Sequence, residues 1–431
     1  MGEELYVITS PEDVLAVYKD TTSLDFDPII RDIMADFGLT RHTLDKMFDR
    51  KFGQKHWMDL CHADFKLQMH PGEKLEVLQS TFLGNIDKSL QWSQVSGPMV
   101  LASSNKNGKT VSLWKWCGQV LVDSATRAFF GDAIYRVAPD LLADFFLFDN
   151  ESWKLSYKYP RFAAPDMYKA KAKGEAAFAQ YLALPQEQRQ DASWIVKAIE
   201  QGIMDLGVEE SSQAAPMLFV LYRLINTNAY KLCFWCLAYL LHDPALLTSI
   251  EQEIAPAFQP DGSLSMLYLL ENCPFLASFY EEILRIANDP IGTRLVVRET
   301  TIGGKTLLPG RKILMPYKLM HFDPTVFGDN ASEFDPRRFV NNKHLVRSTS
   351  YRPFGGAATQ CPGRFLARRE VYMFVALVLH RFDLTLVGNE SGGHAKFPNM
   401  DLTIPSGGVM GPIGGEDVIV KIKVKNEIGP E

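Results

Sequence analysis

One cysteine of this chain stands where chemistry can be done. Cys361 closes the run Arg352-Pro-Phe-Gly-Gly-Ala-Ala-Thr-Gln-Cys-Pro-Gly-Arg-Phe-Leu-Ala367, a loop of small residues that opens an apolar helix. Small residues let backbone N–H groups turn toward a sulfur, and a helix N-terminus adds positive potential. Both favour a thiolate, the form that attacks electrophiles and binds soft metals. Taken alone, the same residue reads first as a small buried hydrophobe, which is what a free cysteine usually is. The other five cysteines have less to offer. Cys117, in Trp114-Lys-Trp-Cys-Gly118, lacks the helix-opening context and reads as packing, and the C-x-x-C of Cys233 and Cys236 has no second ligand pair, so it reads as core. His70, His242, His321 and His380 fall in no metal spacing, and no glycine-rich phosphate loop follows a predicted strand.

Further motifs share the chain with this loop. Glu282-Ile-Leu-Arg285 places an acid and a base on one helix face, a pair that by itself is usually solvated. Phe334-Asp-Pro-Arg-Arg-Phe339 and His321-Phe-Asp-Pro-Thr-Val-Phe-Gly-Asp329 lie between it and the cysteine. Taken together and in this order, these motifs resemble the cytochrome P-450 superfamily over nearly the whole chain. The family's F-x-x-G-x-x-x-C-x-G loop with its following R-x-x-A maps onto Phe354, Cys361, Gly363, Arg364 and Ala367, with Gly355 inside the loop. Two departures stand out: Ala357 replaces a usual glycine, which tightens the loop, and Thr359 replaces a frequent basic partner of a haem propionate. The resemblance implies haem b as cofactor, with Cys361 as its axial metal ligand and Phe354, Gly355 and Gly363 shaping the loop. It implies Arg294 on a haem propionate, with Arg298 as competitor, and an ionic cluster of Glu282, Arg285 and Arg338 that is scaffold rather than catalyst.

The segment Leu224-Ile-Asn-Thr-Asn228 falls where oxygen-activating members carry [AG]-G-x-[DE]-T on the helix over the haem, counted back from His242-Asp-Pro244. Asn228 takes the place of the threonine and Thr227 that of the acid. An asparagine amide can donate to a bound oxygen but cannot relay a proton as a hydroxyl does. With Phe234-Trp235 and the Gly408–Asp417 loop, Asn228 brings the chain nearest, at a distance, to the branch containing prostacyclin synthase and the sterol 7- and 12-hydroxylases. The implied function is monooxygenation of a terpenoid-, steroid- or polyketide-like hydrophobe, with Asn228 and Thr227 as catalytic candidates. An isomerase or lyase acting on a peroxide or preoxidised substrate is the alternative, and a haem-binding protein without turnover is the third reading. The resemblance places the pocket along Phe26–Phe37, Phe219–Asn228, Ala287–Thr293 and Ser406–Pro412. It also implies an NADPH-dependent reductase docking at Arg364, Arg368 and Arg369, or else a merely solvated helix face there.

The elements that must hold these residues follow from pattern. The chain has 431 residues, 46% of them hydrophobic, and a formal net charge of -6. It can bury a large core, and its charge argues against nucleic acid or an anionic membrane as main partner. A monomer of one domain over residues 1–431 is expected, mainly helical with a minor β region and the haem between the two. Residues before about 270 read as helices, with Leu5–Thr9 a strand and Ser10-Pro11 a helix opening. Ile291–Met320 reads as short strands broken at Gly303-Gly304 and Pro309-Gly310, Gly363–His380 as a helix, and Val418–Val424 as a final strand. Met217–Leu241 has the length of a membrane span. Arg223, Asn226, Asn228 and Lys231 in its middle argue instead for one long helix crossing a buried core. The chain begins directly in structure, whereas the resemblance implies for eukaryotic members an anchor to the cytosolic face of the endoplasmic-reticulum membrane; a cut-away anchor, an incomplete gene model and a naturally soluble protein are the alternatives.

Overall fold

The computed structural model describes residues 4–50, 55–104, 108–388, 395–414 and 416–425. The helix Ala229–His242 runs through the middle, apolar on nearly every side, as a fully buried helix must be. It packs against Leu113–Phe130, Pro274–Ala287 and Arg364–Arg381. Each of these three also hides most of its surface. Trp116, Trp235, Tyr280 and Tyr372 are among the largest side chains sealed inside.

Two four-stranded sheets flank this helical body. One contains β1 (Leu5–Val7), β2 (Leu24–Asp25), β5 (Ile291–Val296) and β8 (Lys312–Pro316) in the order β1-β8-β5-β2. Here β1 runs parallel to β8, and β5 is antiparallel to both of its neighbours. The other contains β3 (Val100–Ser104), β4 (Gly108–Ser112), β9 (Phe382–Leu386) and β10 (Ile419–Val424) in the order β3-β4-β10-β9, antiparallel throughout. A small hairpin pairs β6 (Thr300–Ile302) with β7 (Lys305–Leu307) across Gly303-Gly304, both at positive φ (55° and 73°). A two-residue hairpin turn of that kind needs residues that tolerate positive φ twice over, which is what two glycines supply. Ser10 caps the first helix by accepting from the Asp13 N–H, and Pro11 follows at its first position.

Two expectations require correction. The β3–β4 hairpin lies inside the region read as helical. Its strands are short, and their partner β10 is more than 300 positions away, so local pattern does not mark them. The expected single helix over Met217–Leu241 is two: Ser211–Asn226 and Ala229–His242. At the break the side chains of three successive polar residues are bonded off the helical ladder, Asn226 to the Tyr222 carbonyl, Thr227 to Asp149 and Asn228 to the Val409 N–H. The charges that argued against a membrane span have partners in the fold: Lys231 pairs with Asp149 at 2.9 Å, and Arg223 donates to Ser152. Among the described residues no single helix is long and apolar enough to cross a membrane.

Candidate functional site

The Cys361 loop is built by positive-φ backbone at both Gly355 (71°) and Ala357 (52°), after which the Cys361 N–H donates to the Phe354 carbonyl at 2.9 Å. Gly363 then caps Arg364–Arg381. Of the six cysteines, only Cys361 is exposed. Its thiol is nonetheless crowded enough for desolvation to raise its pKa, against the lowering effect of the Gly363 and Arg364 N–H groups and the Arg364 charge. The helix-opening N–H groups and the Arg364 charge thus act in the direction expected of them, toward thiolate, while burial acts against them.

Three consecutive residues tie this loop to the neighbouring scaffold. Tyr351 donates its hydroxyl to Glu281 Oε2 at 2.7 Å, Arg352 donates its N–H to His321 Nε2 at 2.9 Å, and the Pro353 carbonyl accepts from Asn288 at 2.6 Å. Beside them Glu282 takes a two-pronged pair from Arg285 at 2.8 Å, and Arg338 Nε reaches the same carboxylate at 3.1 and 3.2 Å. The remaining donors of both arginines go to carbonyls of Phe327, Asn330, Ala331, Glu333 and His321. Every charged group in this cluster is buried and hydrogen-bonded, one carboxylate serving two guanidiniums whose other donors go to carbonyl oxygens, the condition under which such a cluster holds geometry.

Arg294, on β5, is buried at 7% exposure while Arg298 is exposed, so the competition between them falls to Arg294. Its guanidinium bonds the Thr293 carbonyl at 2.6 Å and Thr359 Oγ1 at 3.1 Å and lies over the Tyr18 and Phe26 rings. No carboxylate pairs with it among the described residues, and burial lowers its pKa. A buried guanidinium without a counter-ion suits a ligand that brings its own carboxylates, as a haem does.

Leu224, near the end of Ser211–Asn226, and Asn228, at the start of Ala229–His242, are both exposed between two helices that are otherwise mostly buried. The Asn228 side-chain oxygen accepts the Val409 N–H at 2.9 Å, which fixes the orientation of the amide. Its NH2 group therefore has no partner among the described residues and is available to a ligand. Gly408 is glycine of necessity, since a Cβ there would collide with that oxygen. Thr227 does not join Asn228 on this face. Its hydroxyl donates to Asp149 at 2.7 Å, within a buried node that also takes Tyr230 and Lys231. Asp149 stays ionised despite complete burial, because Lys231 and Arg223 outweigh desolvation.

The pocket stretches meet only in part. Asn228, Ala287–Asn288 and Gly408–Met410 converge, through the Val409 bond, the Asn288–Val409 bridge and a Met410-to-Ala287 hydrogen bond. Phe37 and Phe219, by contrast, pack with Phe148 as core. Of the Gly408–Asp417 loop, Gly415 lies outside the described residues. Among the docking arginines, Arg368 is engaged with Glu281 and Arg364 donates to the Cys361 carbonyl at 2.8 Å. Sequence reading passed over Asp149, Glu281 and Arg352, and took in Asn288 only as a member of the stretch Ala287–Thr293. Only Arg352 carried a signal, since it stands in the cysteine segment itself.

A family model described as Cytochrome P450 matches residues 229–408. Cytochrome P450 monooxygenase poxD of Penicillium oxalicum is 26% identical over 399 residues, covering 90% of this chain and 79% of its own. Cytochrome P450 7A1 of Sus scrofa is 24% identical over 386 residues, covering 82% and 73%. The solved cytochrome P450DA heme domain superposes with a TM-score of 0.68 at 14% identity, over 98% of this chain and 88% of that one, which shows the shared fold.

Proposed function

The chain belongs to the cytochrome P450 superfamily and its cofactor is haem, and from that premise we propose that it is a monooxygenase of a hydrophobic small molecule, supplied with electrons by a reductase. The single observation that carries the site is Cys361: the one exposed cysteine, at the opening of a helix, in a desolvating cleft. In this reading its sulfur is the axial ligand, Phe354, Gly355 and Gly363 set the loop, and Arg294 takes a haem carboxylate. The bound haem supplies oxidising power, and thiolate donation favours O–O cleavage.

The chain's own residues do the rest. The fixed amide of Asn228 offers N–H to an oxygen in the cleft, and Leu224 excludes water beside it. Thr227 acts as a positioning residue through Asp149, holding the helix break that presents Asn228. Arg364 and Arg369, partly exposed beside the cysteine loop, remain as the positive edge for an acidic electron donor, Arg368 being engaged with Glu281. Two relatives, each 27% identical, carry names that support a steroid- or terpenoid-like substrate: cholesterol 7-alpha-monooxygenase of Cricetulus griseus over 224 residues and 7-alpha-hydroxycholest-4-en-3-one 12-alpha-hydroxylase of Oryctolagus cuniculus over 257.

One observation favours a second reading, an isomerase or lyase. The exposed pair facing the cleft is an amide and a leucine, with the nearby hydroxyl of Thr227 committed elsewhere. A substrate that brings its own oxygen needs no proton relay there. Turnover of a sterol and terpenoid panel decides between them: the monooxygenase reading expects product only with NADPH, reductase and oxygen. Product from a peroxide substrate without them, and none with them, would overturn it. A substrate-induced spin-state change separates both from a haem protein without turnover.

A further inference from the structure

Two guanidiniums approach one aromatic ring and neither finds a carboxylate. Arg294 lies 5.1 Å and Arg352 5.4 Å from the Tyr18 ring centre. Neither has an ion-pair partner among the described residues, and the Nε of Arg352 is buried without any hydrogen bond. Placing two like charges around one ring is unfavourable unless an anion shares the space. The Tyr18 hydroxyl shares one hydrogen bond with the Tyr317 hydroxyl. Two hydroxyls in one bond leave a second O–H without an acceptor.

The backbone makes room for this group of polar heads. A Cβ on Gly356 would meet the Arg352 guanidinium and the Tyr18 ring, and one on Gly292 would run into the Tyr317 hydroxyl. Arg294 reaches Thr359, the position two before the cysteine where a basic residue is missing. The loop is thus one cation short at its end, and has one in excess at its beginning.

We infer that Arg352 and the Tyr18–Tyr317 hydroxyl pair complete, with Arg294, the cradle for the two haem carboxylates, replacing the cation that Thr359 does not supply. The inference rests on the haem-thiolate reading. Arg352 is a binding residue at the cofactor edge, fixed from behind by the bond between its N–H and His321. Tyr317 sets the tilt of Tyr18, on which both arginines stack.

The test compares release of haem, and of haem dimethyl ester, from the reconstituted full chain to excess apomyoglobin. Wild type, Arg352→Ala, Arg352→Lys and Tyr317→Phe are followed. Arg352→Ala is expected to release haem roughly 10- to 100-fold faster, the effect of one charge-assisted contact, with its thiolate-type carbon monoxide band unchanged. Arg352→Lys falls between, because it keeps charge without the fork, and Tyr317→Phe speeds release several-fold. With the ester, which removes both carboxylates and so the Arg294 contact as well, wild type releases faster than Arg352→Ala does with haem, and the substitution adds nothing more; the wild-type arm of this comparison requires no variant to fold. Equal release of haem by wild type and Arg352→Ala, or equal acceleration with haem and ester, overturns the inference. Failure of the underlying reading is visible separately, as a wild type without the thiolate-type band.

Discussion

Ala357 holds a backbone conformation, φ 52°, that L side chains avoid, at a position where the resemblance read from the sequence implies glycine. The Cys361 loop thus keeps the geometry a glycine would allow while bearing the strain of a methyl group. Ala357→Gly is expected to stabilise the protein by about 1 kcal/mol, read as a higher denaturant midpoint at unchanged slope; a fall in the midpoint would contradict it. Asn228 makes a different case. Its oxygen is engaged by the Val409 N–H, so only its NH2 group can act on a ligand. Asn228→Ala is expected to slow turnover on the order of 100-fold, the usual effect of removing one aimed donor, while leaving haem content and carbon monoxide band in place. An unaltered rate would place catalysis elsewhere.

Between residues and the whole stand the elements that keep the cleft in shape. The break between Ser211–Asn226 and Ala229–His242 is pinned by Asp149, which alone offsets two buried cations. Asp149→Asn should therefore destabilise by about 3–5 kcal/mol, measured by equilibrium unfolding, and a loss below 1 kcal/mol would show that the node is not under this charge control. The same range is expected for Arg338→Ala, which leaves Glu282 and Arg285 with incomplete partners. His321 links that cluster's surroundings to the cysteine loop. Burial first, and the nearby Arg285 charge second, lower its pKa from 6.5 to about 3, and its neutral Nε2 accepts the Arg352 N–H. Because the folded value lies below the unfolded one, this stability is complete above about pH 6.5 and is lost as pH falls toward 3. His321→Asn should flatten the unfolding midpoint between pH 6.5 and 4 relative to wild type; parallel curves would remove His321 from the acid response.

At the scale of the molecule, what sequence reveals depends on how far apart the partners lie. The Cys361 loop and Glu282–Arg285 were legible because their chemistry is carried by spacing within one turn or loop, and the strands from Ile291 onward because glycine turns punctuate them. The Asp149–Thr227 bond spans 78 positions and the Tyr18–Tyr317 contact 299, so no local pattern announces either. Thr227 and Asn228 read from sequence as candidates on one continuous helix; their partners on other segments, Asp149 and Val409, accompany a break there. Arg368, legible as a surface charge, is drawn inward by Glu281, which precedes the recognised acid by one place. The account as a whole depends on sulfur 361 binding haem iron. The direct measurement is the carbon monoxide difference spectrum of the reduced wild type beside Cys361→Ser: a thiolate-type band in the first and none in the second is predicted, whereas no such band in the wild type, or the same band in both, would contradict it.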